Sequence, residues 1–247
     1  MGRHARMWGP MIVQESSSSS RDDKQTSRPR IADDYAYMLP MVAFLAFTFA
    51  GGHWPSFFPI SYIIKTPLTA ILLILLWRQY TKIRWNYAWL GVILGVVGVV
   101  QWVGMEKLIL HYWPNYLRPN AEAFNPYEQI HSTAMLWIFM TVRILGPVLV
   151  VPFMEELFWR DFLWRTIAAP NDFKLAAVGE WDTKSFIIVS LAFASVHIQW
   201  ITAIVWGIMI ATLLVRTRSL GACIIMHGVT NLLLGIYVLY THDWAFW

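Results

Sequence analysis

From residue 36 onward, apolar runs long enough to cross a bilayer alternate with short polar breaks. The pattern predicts membrane helices near 36–52, 57–77, 86–105, 131–152, 185–199, 200–215 and 219–241. An eighth span would place the far end of the chain on the other face. The helix beginning in the fourth run is expected to continue, kinked, through Pro147 and Pro152 to about Ala168. The fold class this predicts is all-α: a polytopic bundle of seven to eight transmembrane helices with an intramembrane cavity. Residues 1–30 form a separate regime, with an unbroken serine run from Ser16 to Ser20 followed by mixed charges. Such a segment cannot bury enough apolar surface to fold and reads as a disordered cytoplasmic tail. Residues 31–247 then read as one transmembrane domain.

Composition agrees with this division. Of 247 residues, 57% are hydrophobic and 14% charged, against about 25% charged in soluble domains. Fifteen Trp, fourteen Phe and ten Tyr exceed what one soluble core of this length would bury, but suit the two membrane–water interfaces. The net charge of +4 would fit a nucleic-acid partner if it lined one helix face. Instead the cations cluster between apolar runs, so no nucleic acid is expected and the bilayer is the partner. Arg78, Lys82, Arg84, Arg165, Lys174, Lys184, Arg216 and Arg218 fall in three loops on one side. The positive-inside rule makes that side, and the N-terminus, cytoplasmic, as in a bacterial inner (plasma) membrane. The loop 106–130 lies opposite and offsets Lys107 and Arg118 with Glu106, Glu122 and Glu128. The single cysteine, Cys223, rules out an internal disulfide or a cysteine-based metal cluster and reads as a small core residue.

Ionisable groups at membrane depth are costly, so each one raises a functional question. His53, His111, His131 and His242 sit at predicted span ends, where a wet imidazole costs little. Lys65 is within snorkelling reach of an interface, and Arg143 reads as one half of a structural pair. Three clusters remain. In Glu155-Glu156-Leu-Phe-Trp-Arg160, Glu156 and Arg160 share a helix face and can pair. Glu155 points about 100° away, so it stays available for chemistry. The second cluster is Phe193-Ala-Ser-Val-His197 and the third His227-Gly-Val-Thr-Asn231, where His and Asn project from one face. Singly, these read equally well as an interfacial charge cluster, a structural histidine and interhelical hydrogen bonding. Depth joins them. Counted from the cytoplasmic helix ends, Glu155, His197, His227 and Asn231 all lie roughly 14–20 Å inside the bilayer, and three unrelated accidents would not be expected to agree.

A carboxylate beside an imidazole suits a general base for water, and donors opposite suit the oxyanion of amide hydrolysis. No Ser or Cys stands out as a nucleophile, and there is no His-Glu-x-x-His motif. A zinc ion held by Glu155, His197 and His227 with an open position is the metal alternative. Metal-free chemistry is preferred here, because Glu156 is assigned to Arg160 and no other carboxylate at that depth remains to orient either imidazole.

Taken in order, Glu-Glu-x-x-x-Arg, Phe-x-x-x-His and His-x-x-x-Asn resemble the signature of the CAAX protease and bacteriocin-processing (CPBP, also Abi) family, over roughly residues 131–241. The Trp-rich character and the Asp172–Asp182 loop also resemble a CAAX-protease-related branch linked to exosortase sorting. The resemblance implies about eight helices around a cavity open to the membrane, and glutamate-dependent peptide hydrolysis with no cofactor. It implies Glu155 as the water-activating glutamate, His197 as its partner, and His227 and Asn231 as the oxyanion pair. Glu156, Arg160 and Phe193 are then supporting residues. The expected substrate is a membrane-bound or lipidated peptide. Eukaryotic relatives remove the last three residues of prenylated CAAX proteins. Two rivals share the polar cluster: a non-catalytic membrane scaffold, and a proton-coupled transporter. The transporter would predict repeat symmetry between the two halves, and none is visible.

Overall fold

A computed structural model describes residues 30–114, 116 and 123–246. Residues 1–29 of the expected disordered tail, and Arg118 and Glu122 of the 106–130 loop, lie outside the described residues, whereas Arg30 opens the first helix. The described residues are all helical or irregular, with no strand. Eight helices follow in order: α1 (Arg30–His53), α2 (Phe58–Leu75), α3 (Ala88–Tyr112), α4 (Pro126–Gln129), α5 (Thr133–Ala168), α6 (Thr183–Ser195), α7 (Trp200–Thr217) and α8 (Leu220–Thr241). Six of them (α1, α2, α3, α5, α7 and α8) are long and apolar enough to cross a membrane, and α6 is a shorter apolar helix. Large apolar side chains such as Phe49, Ile74, Val100 and Trp137 are more than two-thirds exposed. On a membrane protein that surface faces lipid tails. The chain is an integral membrane protein.

Polar caps set several helix starts. Ser132, Asp182 and Ser219 each accept a bond from the backbone N–H three residues on, the last from Ala222 at 3.2 Å. The Ser219 hydroxyl also lies 2.6 Å from Asn86 O, tying the start of α8 to the loop before α3. α3 and α8 then make the most extensive helix pair. Glycines on α3 allow the close approach. A β-carbon on Gly91 would lie 2.4 Å from Ala222 O, and one on Gly95 2.6 Å from Val229 Cβ. This is the small-residue contact that lets membrane helix backbones meet.

α5 is unbroken from 133 to 168, as expected, but its middle is not regular. Two wide turns of π type, Gly146–Val150 and Leu157–Leu163, bracket the regular turn Val151–Glu156. In the first, the Val151 N–H reaches back five residues to Gly146 O. The next bond in that register would come from residue 152, which is proline and has no N–H to give.

Three expectations change. α3 runs on to Tyr112, so Glu106 is not a loop charge: it is fully buried and accepts from Thr202 Oγ1 at 3.0 Å and Tyr116 OH at 2.8 Å. Lys65 does not snorkel. It is buried between α1 and α2, donates to Thr48 Oγ1 at 2.9 Å, and lies over the rings of Tyr62 and Phe44 at 4.2 and 4.4 Å. The fifth run ends as helix at Ser195, so His197 sits in the turn between α6 and α7.

Candidate functional site

Glu155, His197, His227 and Asn231 line one cavity of about 190 Å³. α5 supplies Glu155 from its regular turn, the α6–α7 turn supplies His197, and α8 supplies His227 and Asn231. Trp102 of α3 and Trp206 of α7 close the walls, and Tyr62, Arg143 and Gln199 line the same space. Glu155 is buried and its Oε2 has no hydrogen-bond partner among the described residues. Since buried carboxylate oxygens are ordinarily bonded, an unpartnered one on a carboxylate that lines a polar cavity marks a group still short of a polar partner such as water.

Both imidazoles are held at Nδ1. His197 Nδ1 lies 2.8 Å from Phe193 O, and because a carbonyl only accepts, Nδ1 carries the proton. Its ring also packs on Phe193 at 4.4 Å and edge-on to Trp102 at 5.7 Å. Glu155, His227 and Arg160 all lie within electrostatic reach of that ring. His227 Nδ1 lies 2.8 Å from Glu156 Oε1, and Trp206 meets its ring edge-on at 4.9 Å. In each histidine Nε2 is therefore the nitrogen left for cavity chemistry.

Glu156 pairs with Arg160, as the spacing predicted, at 3.3 Å. It is not reserved for Arg160, however. The same Oε1 holds His227, so a carboxylate does orient one imidazole, and the sequence argument against a metal loses that premise. Residues 156 and 227 are 71 positions apart, which no local spacing rule reaches. Arg160 is 1% exposed, and its guanidinium lies 4.4 Å from the centre of the Phe193 ring. Phe193 in turn stacks on Trp206 at 5.3 Å. The supporting residues thus form a buried stack whose Phe193 ring lines the cavity and whose Arg160 and Glu156 lie beside it.

Asn231 has a structural bond besides facing the cavity. Its Nδ2 donates to Pro147 O at 2.8 Å, the carbonyl that Pro152 cannot serve in the π register. The second N–H of the amide remains for another acceptor. Gly228 lets α8 come this close to the irregular turn, for a β-carbon there would lie 2.9 Å from Val148 O. Arg143 lies with its guanidinium 4.4 Å from the centre of the Tyr62 ring and lines the cavity.

Sequence reading did not single out Trp102, Gln199, Trp206 or Thr230. Trp206 Nε1 donates to Thr230 Oγ1 at 3.4 Å, and Thr230 Oγ1 is 2.9 Å from Met226 O. The available signal was position: Thr230 stands one residue before Asn231 in the third motif, and Gln199 two after His197. Among the described residues no three His, Cys, Asp or Glu side chains are grouped closely enough to hold a metal ion as they stand.

The fold and site together define a polytopic membrane protein with a polar, histidine- and carboxylate-lined cavity inside its helix bundle. Residues 135–233 match the family model described as Type II CAAX prenyl endopeptidase Rce1-like. That stretch contains all three motifs, and over it the chain is similar to Type II CAAX prenyl endopeptidases. No curated protein and no solved structure matches the chain.

Proposed function

We propose that the protein is an intramembrane endopeptidase in which Glu155 activates water to hydrolyse a peptide bond of a membrane-associated or lipidated substrate. The observation that carries this reading is the cavity itself. It joins an unpartnered carboxylate oxygen to two imidazoles whose Nδ1 atoms are pinned. Glu155 takes a proton from water while His197 Nε2 accepts the second water hydrogen and orients the oxygen for attack on the peptide carbonyl. The carbonyl electrons pass to its oxygen, where His227 and the second Asn231 N–H donate. For His227 this requires a proton on Nε2 as well as Nδ1, that is, an imidazolium held by the Glu156 carboxylate. Collapse of the tetrahedral species breaks the C–N bond, and the proton held by Glu155 goes to the leaving amine.

A second reading keeps the residues and changes their role. In it Glu155, His197 and His227 would hold a zinc ion, which would polarise the carbonyl and the attacking water. One observation favours it, since both Nδ1 atoms have the acceptors that orient zinc-binding histidines. Against it stands the spacing of the donors, which would have to draw together. We hold the metal-free reading, and with it a bacterial inner-membrane location with the N-terminus and the basic loops on the cytoplasmic side. Mass spectrometry of membrane peptides in cells carrying wild-type protein or Glu155→Ala tests the activity. New termini present only with the wild type support it, and identical peptide sets refute it.

A further inference from the structure

The segment after α8 turns back into the cavity. His242 takes left-handed backbone with φ 56°, ending the helix, and Trp244–Phe246 make one tight 3-10 turn. Trp244 and Phe246 are 8% and 7% exposed, and Phe246 lines the same cavity as Glu155, His197 and His227. Its ring meets Tyr237 edge-on at 5.7 Å. Beside it, buried Gln199 donates from Nε2 to the backbone carbonyl of Ala245 at 3.2 Å. Gln199 stands two residues from His197, in the same turn.

A side-chain amide bonded to a main-chain carbonyl, next to a slot filled by an aromatic side chain, is the chemistry by which a protein holds a peptide in an apolar cleft. We propose that Gln199 and the slot now filled by Phe246 form a peptide-binding subsite beside Glu155. Its ligand is a peptide presenting a backbone carbonyl followed by a large apolar or aromatic side chain. The chain's own Ala245-Phe246 occupies the subsite at rest, so a substrate must displace this strap before it reaches Glu155. The assignment of the ligand as substrate rests on the hydrolytic reading above, whereas binding of the peptide does not. Self-occupancy lowers the apparent affinity for any competing peptide by the fraction of molecules in the open state.

The test uses the full chain in lipid nanodiscs and a fluorescently labelled peptide of the sequence Thr-His-Asp-Trp-Ala-Phe-Trp, with binding read by anisotropy. Phe246→Gly empties the slot and is expected to bind the peptide about tenfold more tightly than the wild type. Adding Gln199→Leu should weaken that binding about fivefold, the worth of one hydrogen bond. The same peptide with its Phe replaced by Gly should not compete. Glu155→Gln with Phe246→Gly should still bind, so loss of hydrolysis and loss of the subsite are told apart. If Phe246→Gly does not fold, the single variant Gln199→Leu serves. Amide hydrogen exchange over 242–246 should then rise about fivefold with one bond gone. Equal peptide affinity in wild type and Phe246→Gly, or unchanged exchange in Gln199→Leu, would overturn the proposal.

Discussion

Glu156 sits at the junction of two buried contacts, and its removal offers a measurable test of how the site is built. Its Oε1 receives Arg160 Nη1 at 3.3 Å and His227 Nδ1 at 2.8 Å. Glu156 is fully buried and Arg160 is 1% exposed. Replacing Glu156 by Met strands the guanidinium, whose Nε and Nη2 already have no partner among the described residues. Removing one member of a buried ion pair costs about 3–5 kcal/mol, because the other charge stays behind uncompensated. For a chain of this length about 2–4 °C of melting temperature goes with each kcal/mol, so a fall of about 6–20 °C is expected. Arg160→Met should lose stability in the same range, since the lost guanidinium also packed on Phe193 at 4.4 Å. The double variant Glu156→Met/Arg160→Met removes both members of that pair, leaving only His227 Nδ1 without its acceptor, and should recover at least half of either loss. It should not recover activity, because His227 still lacks its orienting carboxylate. Thermal unfolding of purified protein in detergent, followed by size-exclusion recovery, measures all three. If Glu156→Met melts within about 2 °C of wild type, the charge pair does not anchor the site. A stable but inactive Arg160→Met would instead place the guanidinium in contact with substrate.

Three further outcomes follow from separate parts of the structure. Gly95→Leu should wedge α3 away from α8, because even a β-carbon there would lie 2.6 Å from Val229 Cβ. A loss of about 1–3 kcal/mol by thermal unfolding is expected, and unchanged stability would show that the two helices are not in tight contact. Asp182 caps α6 through the amide and hydroxyl of Ser185, both at 2.7 Å, and these bonds hold its carboxyl below the ordinary value of 3.8. Because the folded-state value is depressed, the cap contributes fully above that ordinary value and is lost as pH falls through the lower folded one. Asp182→Ala should cost about 1 kcal/mol at neutral pH, with the gap to wild type closing under strong acid; a gap independent of pH would contradict it. Stringent chelation should leave peptide cleavage unchanged, whereas loss on chelation and return on adding zinc would redraw Glu155, His197 and His227 as ligands.

Much of the architecture is legible from local pattern. Apolar runs place the six long helices, and the continuation of α5 through Pro147 and Pro152 follows from the absence of a polar break. The Glu156–Arg160 pair comes from a four-residue spacing on one helix. What stays hidden depends on distance in sequence or on irregular backbone. Glu156 meets His227 only because α8 packs against α5. Asn231 caps Pro147 O in a π turn where Pro152 has no N–H to give that carbonyl. Lys65 looks like a snorkelling residue because a lone cation gives no sign of the Tyr62 and Phe44 rings that enclose it. Glu106 looks like a loop charge because hydropathy falls before α3 ends. The spacing Gly91-x-x-x-Gly95 does carry its meaning in the sequence, as a helix-contact motif.

The central claim, that Glu155 activates water for peptide hydrolysis inside this cavity, is met most directly by one measurement. Wild-type protein and Glu155→Gln in nanodiscs are incubated with a membrane-peptide library in ¹⁸O-labelled water, and new carboxyl termini are read by mass spectrometry. The wild type should place one ¹⁸O in each new carboxylate. Glu155→Gln, with unchanged melting temperature, should lower the rate by about 10²–10⁴-fold, the usual worth of a positioned general base. Cleavage by a folded Glu155→Gln at the wild-type rate would contradict the account.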